Sequence, residues 1–64
     1  MRKLHDEDLA GIHEIAEALG ISKQRLVNWR ERSGDFPAPV KEFKMGPMYS
    51  LSVVRAWARA KGLL

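Results

Sequence analysis

Apolar residues recur at helical spacing in three stretches of this chain, and residues that start or stop helices bound each stretch. Ile12, Ile15, Ala16 and Leu19 fall at i, i+3, i+4 and i+7, one buried stripe. Gly11 and Glu14 take capping-box spacing ahead of it, with Gly where Ser or Thr caps better. Gly20 supplies a left-handed residue to end the helix, and Ile21 follows as an apolar plug. Ser22 is a good N-cap for a second helix, predicted over residues 23 to about 33, with Leu26 and Trp29 turned inward. Ser33, Gly34 and Asp35 stop it. The next segment, FPAPV, is extended, because Pro37 and Pro39 cannot sit inside a central strand. Residues 40–43 and 48–50 read as two short strands around a turn at 44–47. Ser50 then caps a third helix, residues 51 to about 61, with Val54, Trp57 and Ala58 on its inner side. Gly62 ends that helix, and Leu63 and Leu64 are expected to fold back onto the core. Residues 1–8 are charged and aperiodic and read as a flexible arm, with Leu9 and Ala10 leading into the first helix. The pattern predicts one domain over residues 9–64, mainly α, with three short helices and a two-stranded β-hairpin.

Composition narrows this picture modestly. At 64 residues the chain supports one small core, since a domain of that size buries only about 60% of its unfolded surface. The absence of Cys excludes disulfides and thiolate metal sites, and fits a cytoplasmic location. No apolar run approaches the roughly 18 residues of a membrane span, so no membrane partner is expected. Charge changes more. Residues 1–20 carry Arg2 and Lys3 against Asp6, Glu7, Asp8, Glu14 and Glu17, a net −3. Residues 21–64 carry nine Lys and Arg against Glu31, Asp35 and Glu42, a net +6. A surface polarised in this way suits a polyanionic partner on one side.

The second helix, within GISKQRLVNWRERS, shows where such a partner fits. At about 100° per residue, Leu26 and Trp29 define the core direction. Gln24, Val27, Asn28 and Glu31 then form the outer apex. Lys23 and Arg30 fall on one flank, Arg25 and Arg32 on the other. Apolar base, polar apex and cationic shoulders match the major groove of duplex DNA. There Asn or Gln can pair bidentately with adenine, and basic groups can hold the phosphate walls. The bland alternative is a surface helix whose cations serve solubility.

From residue 12 to 31 the chain resembles the helix-turn-helix pattern of DNA-binding proteins. Ala16 stands where two helices cross closely, Gly20 is the turn glycine, and Ile21, Leu26 and Trp29 plug the helices together. The likeness continues: EIAEALGISKQRLVNW, FPAPV and MYSLSVVRAW together resemble the AlpA, excisionase and MerR-like group of small winged helix-turn-helix proteins, over residues 9–62. The resemblance implies that Ser22, Lys23, Gln24, Arg25 and Asn28 enter the major groove. It also implies that the hairpin, residues 41–49, is a wing against the backbone or minor groove. Base reading is assigned to Ser22, Lys23, Gln24 and Asn28; phosphate contacts are assigned to Arg25, Arg30, Arg32, Lys41 and Lys44. Wings of this group often carry several arginines, whereas KEFKMGPMY offers only Lys41 and Lys44.

Other constellations count for less. His5, Asp6, Glu7, Asp8 and His13 have no recurring ligand spacing, so no metal or other cofactor is expected. The four serines sit at caps, element ends or an exposed first turn, away from a histidine base, so no enzymatic activity is expected. Glu14 and Glu17 share an exposed face, away from the basic helix. Trp29 and Trp57 read as core rather than as stacking platforms for single-stranded bases. Met45 and Met48 are candidates for a protein contact, and Arg55 and Arg59 for further phosphate contacts. The function expected is sequence-specific binding of double-stranded DNA, as an excisionase-like recombination factor or a small transcriptional regulator of phage or mobile-element type. No coiled coil follows the third helix, so cooperative self-association on DNA, or an integrase or other DNA-bound partner, is expected. Two alternatives stand: the DNA-recognition module of a viral packaging terminase small subunit, and a protein-interaction module.

Overall fold

The computed structural model of the chain describes residues 8–44 and 46–64. Among them the elements run β1 (Leu9–Ala10), α1 (Ile12–Leu19), α2 (Lys23–Arg32), β2 (Lys41–Phe43), β3 (Gly46–Ser50) and α3 (Leu51–Ala60). The fold is mainly α with a small antiparallel sheet. The helices stand where the apolar spacing put them, α2 and α3 each closing one residue early.

The sheet departs from expectation. Leu9 and Ala10 lead into α1 as expected, but as a short strand that pairs with β3, Leu9 opposite Ser50 and Ala10 opposite Tyr49. The sheet therefore has three strands in the order β1-β3-β2, not the two of a free hairpin. Tyr49 and Ser50 are buried, and buried backbone groups without partners are costly. β1 supplies those partners, and at two residues it is too short to show any periodicity.

The hairpin turn is also tighter than expected. Phe43 lies opposite Gly46 and Glu42 opposite Pro47, so β3 begins two residues earlier than expected. Gly46 sits at φ +130°, a region open in practice only to glycine. Pro47 is tolerated in the middle strand because β1 reaches no further than Tyr49 and Ser50. At Pro47 the strand has a neighbour on one side only, where a residue lacking an N–H can sit.

The helix ends follow the expected chemistry. The Gly11 N–H donates to Glu14 Oε1 at 3.1 Å, the half of a capping box that a glycine can make. Gly20 turns at φ +74°, which lets its N–H and that of Ile21 reach back to the Ala16 carbonyl. Ser50 Oγ accepts from the Val53 N–H at 3.3 Å. Beyond α3 the Leu63 N–H donates to the Ala58 carbonyl at 2.8 Å. Leu63 packs against the core, while Leu64 stays 48% exposed, so only the first of the two folds back.

Of the arm expected over residues 1–8, residues 1–7 lie outside the described residues, and Asp8 is docked. Its Oδ1 accepts from the Ser52 N–H at 3.0 Å, and its Oδ2 accepts from the hydroxyls of Ser52 and Ser50. The carboxylate thus sits at the start of α3, where unpaired N–H groups and the helix dipole favour negative charge.

Ile15, Leu26 and Val54 are fully buried and come from α1, α2 and α3 respectively. Ala16, Trp29, Tyr49 and Ala58 complete the core. Phe36, from the extended segment after α2, packs edge-on against Trp57 at 5.1 Å and against Tyr49 at 5.7 Å between ring centroids. Trp57 in turn meets Trp29 at 6.1 Å. Trp57, expected on the inner side of α3, is half-buried at the edge of this cluster. Its indole N–H is buried and makes no hydrogen bond among the described residues.

Next to this cluster Lys61 pairs with Asp35 at 2.7 Å. That hydrogen bond holds the Asp35 carboxyl below its ordinary value of 3.8, with a smaller pull from the Trp57 indole, which lies outside good hydrogen-bond geometry. A lowered folded-state pKa adds stability above the unfolded value, lost as pH falls through the folded one. Asp35→Asn should therefore melt below the wild type at neutral pH; the difference should begin to shrink below pH 3.8 and vanish once pH is below the lowered folded-state value, as paired thermal melts measure. Asp8→Ala removes the carboxylate at the start of α3 and should cost about 1–2 kcal/mol in urea denaturation.

Candidate nucleic-acid interface

The sequence of α2 dictates which of its residues face outward. Leu26 and Trp29 are buried against α1 and the aromatic cluster, so Gln24, Asn28 and Glu31 are exposed on the far side and Val27 is half-buried. Ser22 Oγ accepts from the Arg25 N–H at 3.1 Å and fixes the first turn. Ser22, assigned to base reading, is thus first a structural cap. Its hydroxyl hydrogen is still able to donate outward.

At the apex the two amides are joined: Gln24 Nε2 donates to Asn28 Oδ1 at 3.1 Å. Both side chains are exposed, so this contact orders them relative to each other rather than adding much stability.

The two cationic shoulders have different surroundings. On one, Lys23 and Arg30 border an open cleft of ≈ 560 Å³ whose opposite wall is the hairpin, through Phe43, Gly46, Pro47 and Met48. The N-terminal turn of α1 closes one end with Ile12 and His13. On the other shoulder the Arg25 guanidinium lies over the Trp29 ring, 5.9 Å from its centroid, within the range of a cation–π contact. Arg32 is exposed in the last turn. One shoulder therefore looks across the cleft to the hairpin and the other looks away from it.

Lys41 and Lys44 are exposed on the hairpin, but the cleft is not lined by them. The structure joins Lys23 and Arg30 to apolar hairpin residues instead. Phe43 is 52% exposed and Val40, just before β2, 41%, which adds apolar surface to the hairpin beside its two lysines. No local signal in the sequence marks these residues, since the cleft forms only when β3 is docked against α1. Alternation along a three-residue strand is too brief to read.

Negative charge is present but partly answered. Glu31, at the apex, lies 3.8 Å from Arg30. Glu14 is turned to the Gly11 N–H and, contrary to expectation, borders the same cleft as Lys23 and Arg30, because the first turn of α1 closes that cleft; Glu17 is exposed on α1. Of the acidic and histidine residues near the start of the chain, His5, Asp6 and Glu7 lie outside the described residues. Asp8 is engaged by the two serines, and His13 is exposed on α1. Among the described residues no helix is long and apolar enough to cross a membrane. No protein-family model, curated protein or solved structure matches the chain.

The cap and the charge at Ser22 can be separated. Ser22→Ala should lower stability by about 1 kcal/mol, whereas Ser22→Asp, also a good cap, should keep it. If the face carries nucleic acid, Ser22→Asp should still weaken binding through its charge. Urea denaturation read beside duplex binding for both variants provides the check.

Proposed function

We propose that this chain binds double-stranded DNA as a small winged helix-turn-helix domain, with α2 in the major groove and the β2–β3 hairpin as the wing. The observation that carries the reading is the cross-section of α2. Its apolar side is consumed by the core, its apex presents Gln24 and Asn28, and Lys23, Arg25, Arg30 and Arg32 flank that apex on both sides. A buried base fixes the rotation of the helix, so the polar apex is held outward and not merely free to turn there. A major groove about 12 Å wide admits a helix in this attitude, with amides at base edges and cations at the phosphate walls. The cleft between α2 and the hairpin leaves room for one phosphate strand beside Lys23 and Arg30.

Ser22, Lys23, Gln24 and Asn28 read bases; Arg25, Arg30, Arg32, Lys41 and Lys44 contact phosphates. The wing contributes less charge than the helix does. The resemblance to the AlpA, excisionase and MerR-like group supports the same assignment. It favours a regulator of phage or mobile-element type, with the excisionase-like role slightly ahead of transcriptional control. The domain measures 32 × 26 × 22 Å, about one turn of duplex at most. Strong selectivity on so short a footprint calls for further copies on adjacent sites, or a larger DNA-bound partner such as an integrase. The half-exposed Phe43 and Val40 favour a second reading, in which the hairpin contacts protein.

Salt separates the readings. Four to six phosphate contacts should make log affinity for a duplex fall against log salt with a slope of about −4 to −5, at roughly 0.9 per contact. A slope near zero in a fluorescence titration overturns DNA binding and leaves the protein-contact reading. Reading and holding are distinguished by variants. Gln24→Ala or Asn28→Ala should cost about 1–3 kcal/mol on a preferred site and little on random duplex. Arg32→Ala should weaken both alike.

A further inference from the structure

The two amides at the apex of α2 are equivalent in the sequence but not in the structure. Gln24 gives one N–H to Asn28 Oδ1. A primary amide has two N–H groups and one carbonyl oxygen. Gln24 keeps its carbonyl oxygen and its second N–H, which form one edge when the N–H given to Asn28 is the one trans to the oxygen. That edge complements adenine in the major groove, where N7 accepts and the N6 amino group donates. Asn28 shares its oxygen with the Gln24 N–H, which occupies one of its two lone pairs, and keeps both of its own N–H donors clear of that contact. Those donors suit N7 or O6 of guanine, or O4 of thymine, whereas an oxygen already shared with Gln24 is the poorer partner for the amino group of adenine.

Resting on the DNA-binding reading above, we propose that Gln24 is the adenine-reading residue of α2 and that Asn28 is its positioning residue. The preferred site then holds an adenine opposite Gln24 and, on a neighbouring base pair, a guanine or thymine opposite the Asn28 donors. The contact spans one helical turn between two exposed side chains. Formed before binding, it removes rotamer freedom that Gln24 otherwise loses on the DNA. Arg25 cannot take this role, because a guanidinium has no acceptor for the adenine amino group; in the structure it lies over the Trp29 ring.

The test uses the full chain and duplexes selected by it from a random library. In the enriched site each adenine is replaced in turn by 7-deazaadenine, which lacks the N7 acceptor. At one position the replacement should weaken wild-type binding by about fivefold or more. That penalty should disappear in Gln24→Ala. It should also collapse in Asn28→Ala, although Gln24 is intact, while the salt slope of that variant stays at the wild-type value. Asn28→Asp keeps the oxygen that Gln24 donates to, so it should restore the penalty at lower overall affinity. Circular dichroism confirms that each variant is folded; all three changes are at exposed positions.

A penalty that persists in Gln24→Ala and vanishes only in Asn28→Ala overturns the assignment by reversing the roles. A penalty in Asn28→Ala equal to that of the wild type overturns the coupling and leaves the amides independent. Salt-sensitive duplex binding with no adenine dependence at any position sinks the inference while the DNA-binding reading survives. Absence of salt-sensitive duplex binding overturns that reading and the inference with it.

Discussion

Phe36 joins parts of the molecule that otherwise have little reason to meet. It comes from the extended segment after α2, and its ring packs edge-on against Trp57 of α3 and Tyr49 of β3. Trp57 extends the chain of rings to Trp29 of α2. Among the described residues Ile15, Leu26 and Val54 are the large aliphatic side chains that are fully buried, so the aromatic rings carry a large share of the apolar area withdrawn from water. Edge-to-face packing also fixes angles in a way aliphatic contacts do not. The attitude of α2 relative to the hairpin, and hence the cleft between them, depends on these rings.

A second constraint works from the polar side. Ser50 is the buried polar residue among the described residues, and three duties converge on it: pairing with Leu9, capping α3, and meeting the Asp8 carboxylate. Each satisfies groups that burial would leave unpaired. One consequence is that the hairpin is tied to the start of the domain as well as to α3. The proposed wing therefore stands on a sheet fastened at two points.

The exposed face of α2 is what remains once these demands are met. Leu26 and Trp29 are taken by the core and Ser22 by its cap. The groups left outward are two amides bonded to each other, one row of cations beside the hairpin, and on the other shoulder Arg32 with Arg25, which is exposed over the Trp29 ring. The proposed DNA-binding surface is in this sense a residue of the folding problem. Its charge is legible without the fold, but its division into an ordered apex and two unlike shoulders is not.

Local chemistry was readable in the sequence wherever the cause is local. The apolar spacing of Ile12, Ile15, Ala16 and Leu19, the cap at Ser22 and the turn at Gly20 act within a few residues, and all appear as expected. The outward face of α2 follows from the same periodicity. What the sequence did not disclose depends on partners far along the chain. Asp8 reaches Ser52, 44 positions away, and Leu9 becomes a strand only because Ser50 of β3 lies beside it. Phe36 and Tyr49 read as a loop residue and a strand residue until tertiary packing brings their rings together. The placement of Lys23 and Arg30 beside Phe43, Pro47 and Met48 is of the same kind. Periodicity and capping are written in neighbouring residues, so the sequence alone determined the helices and the charge they display. Pairing, burial and clefts arise from contacts that cost chain entropy to close, and only the tertiary structure decided which of them form.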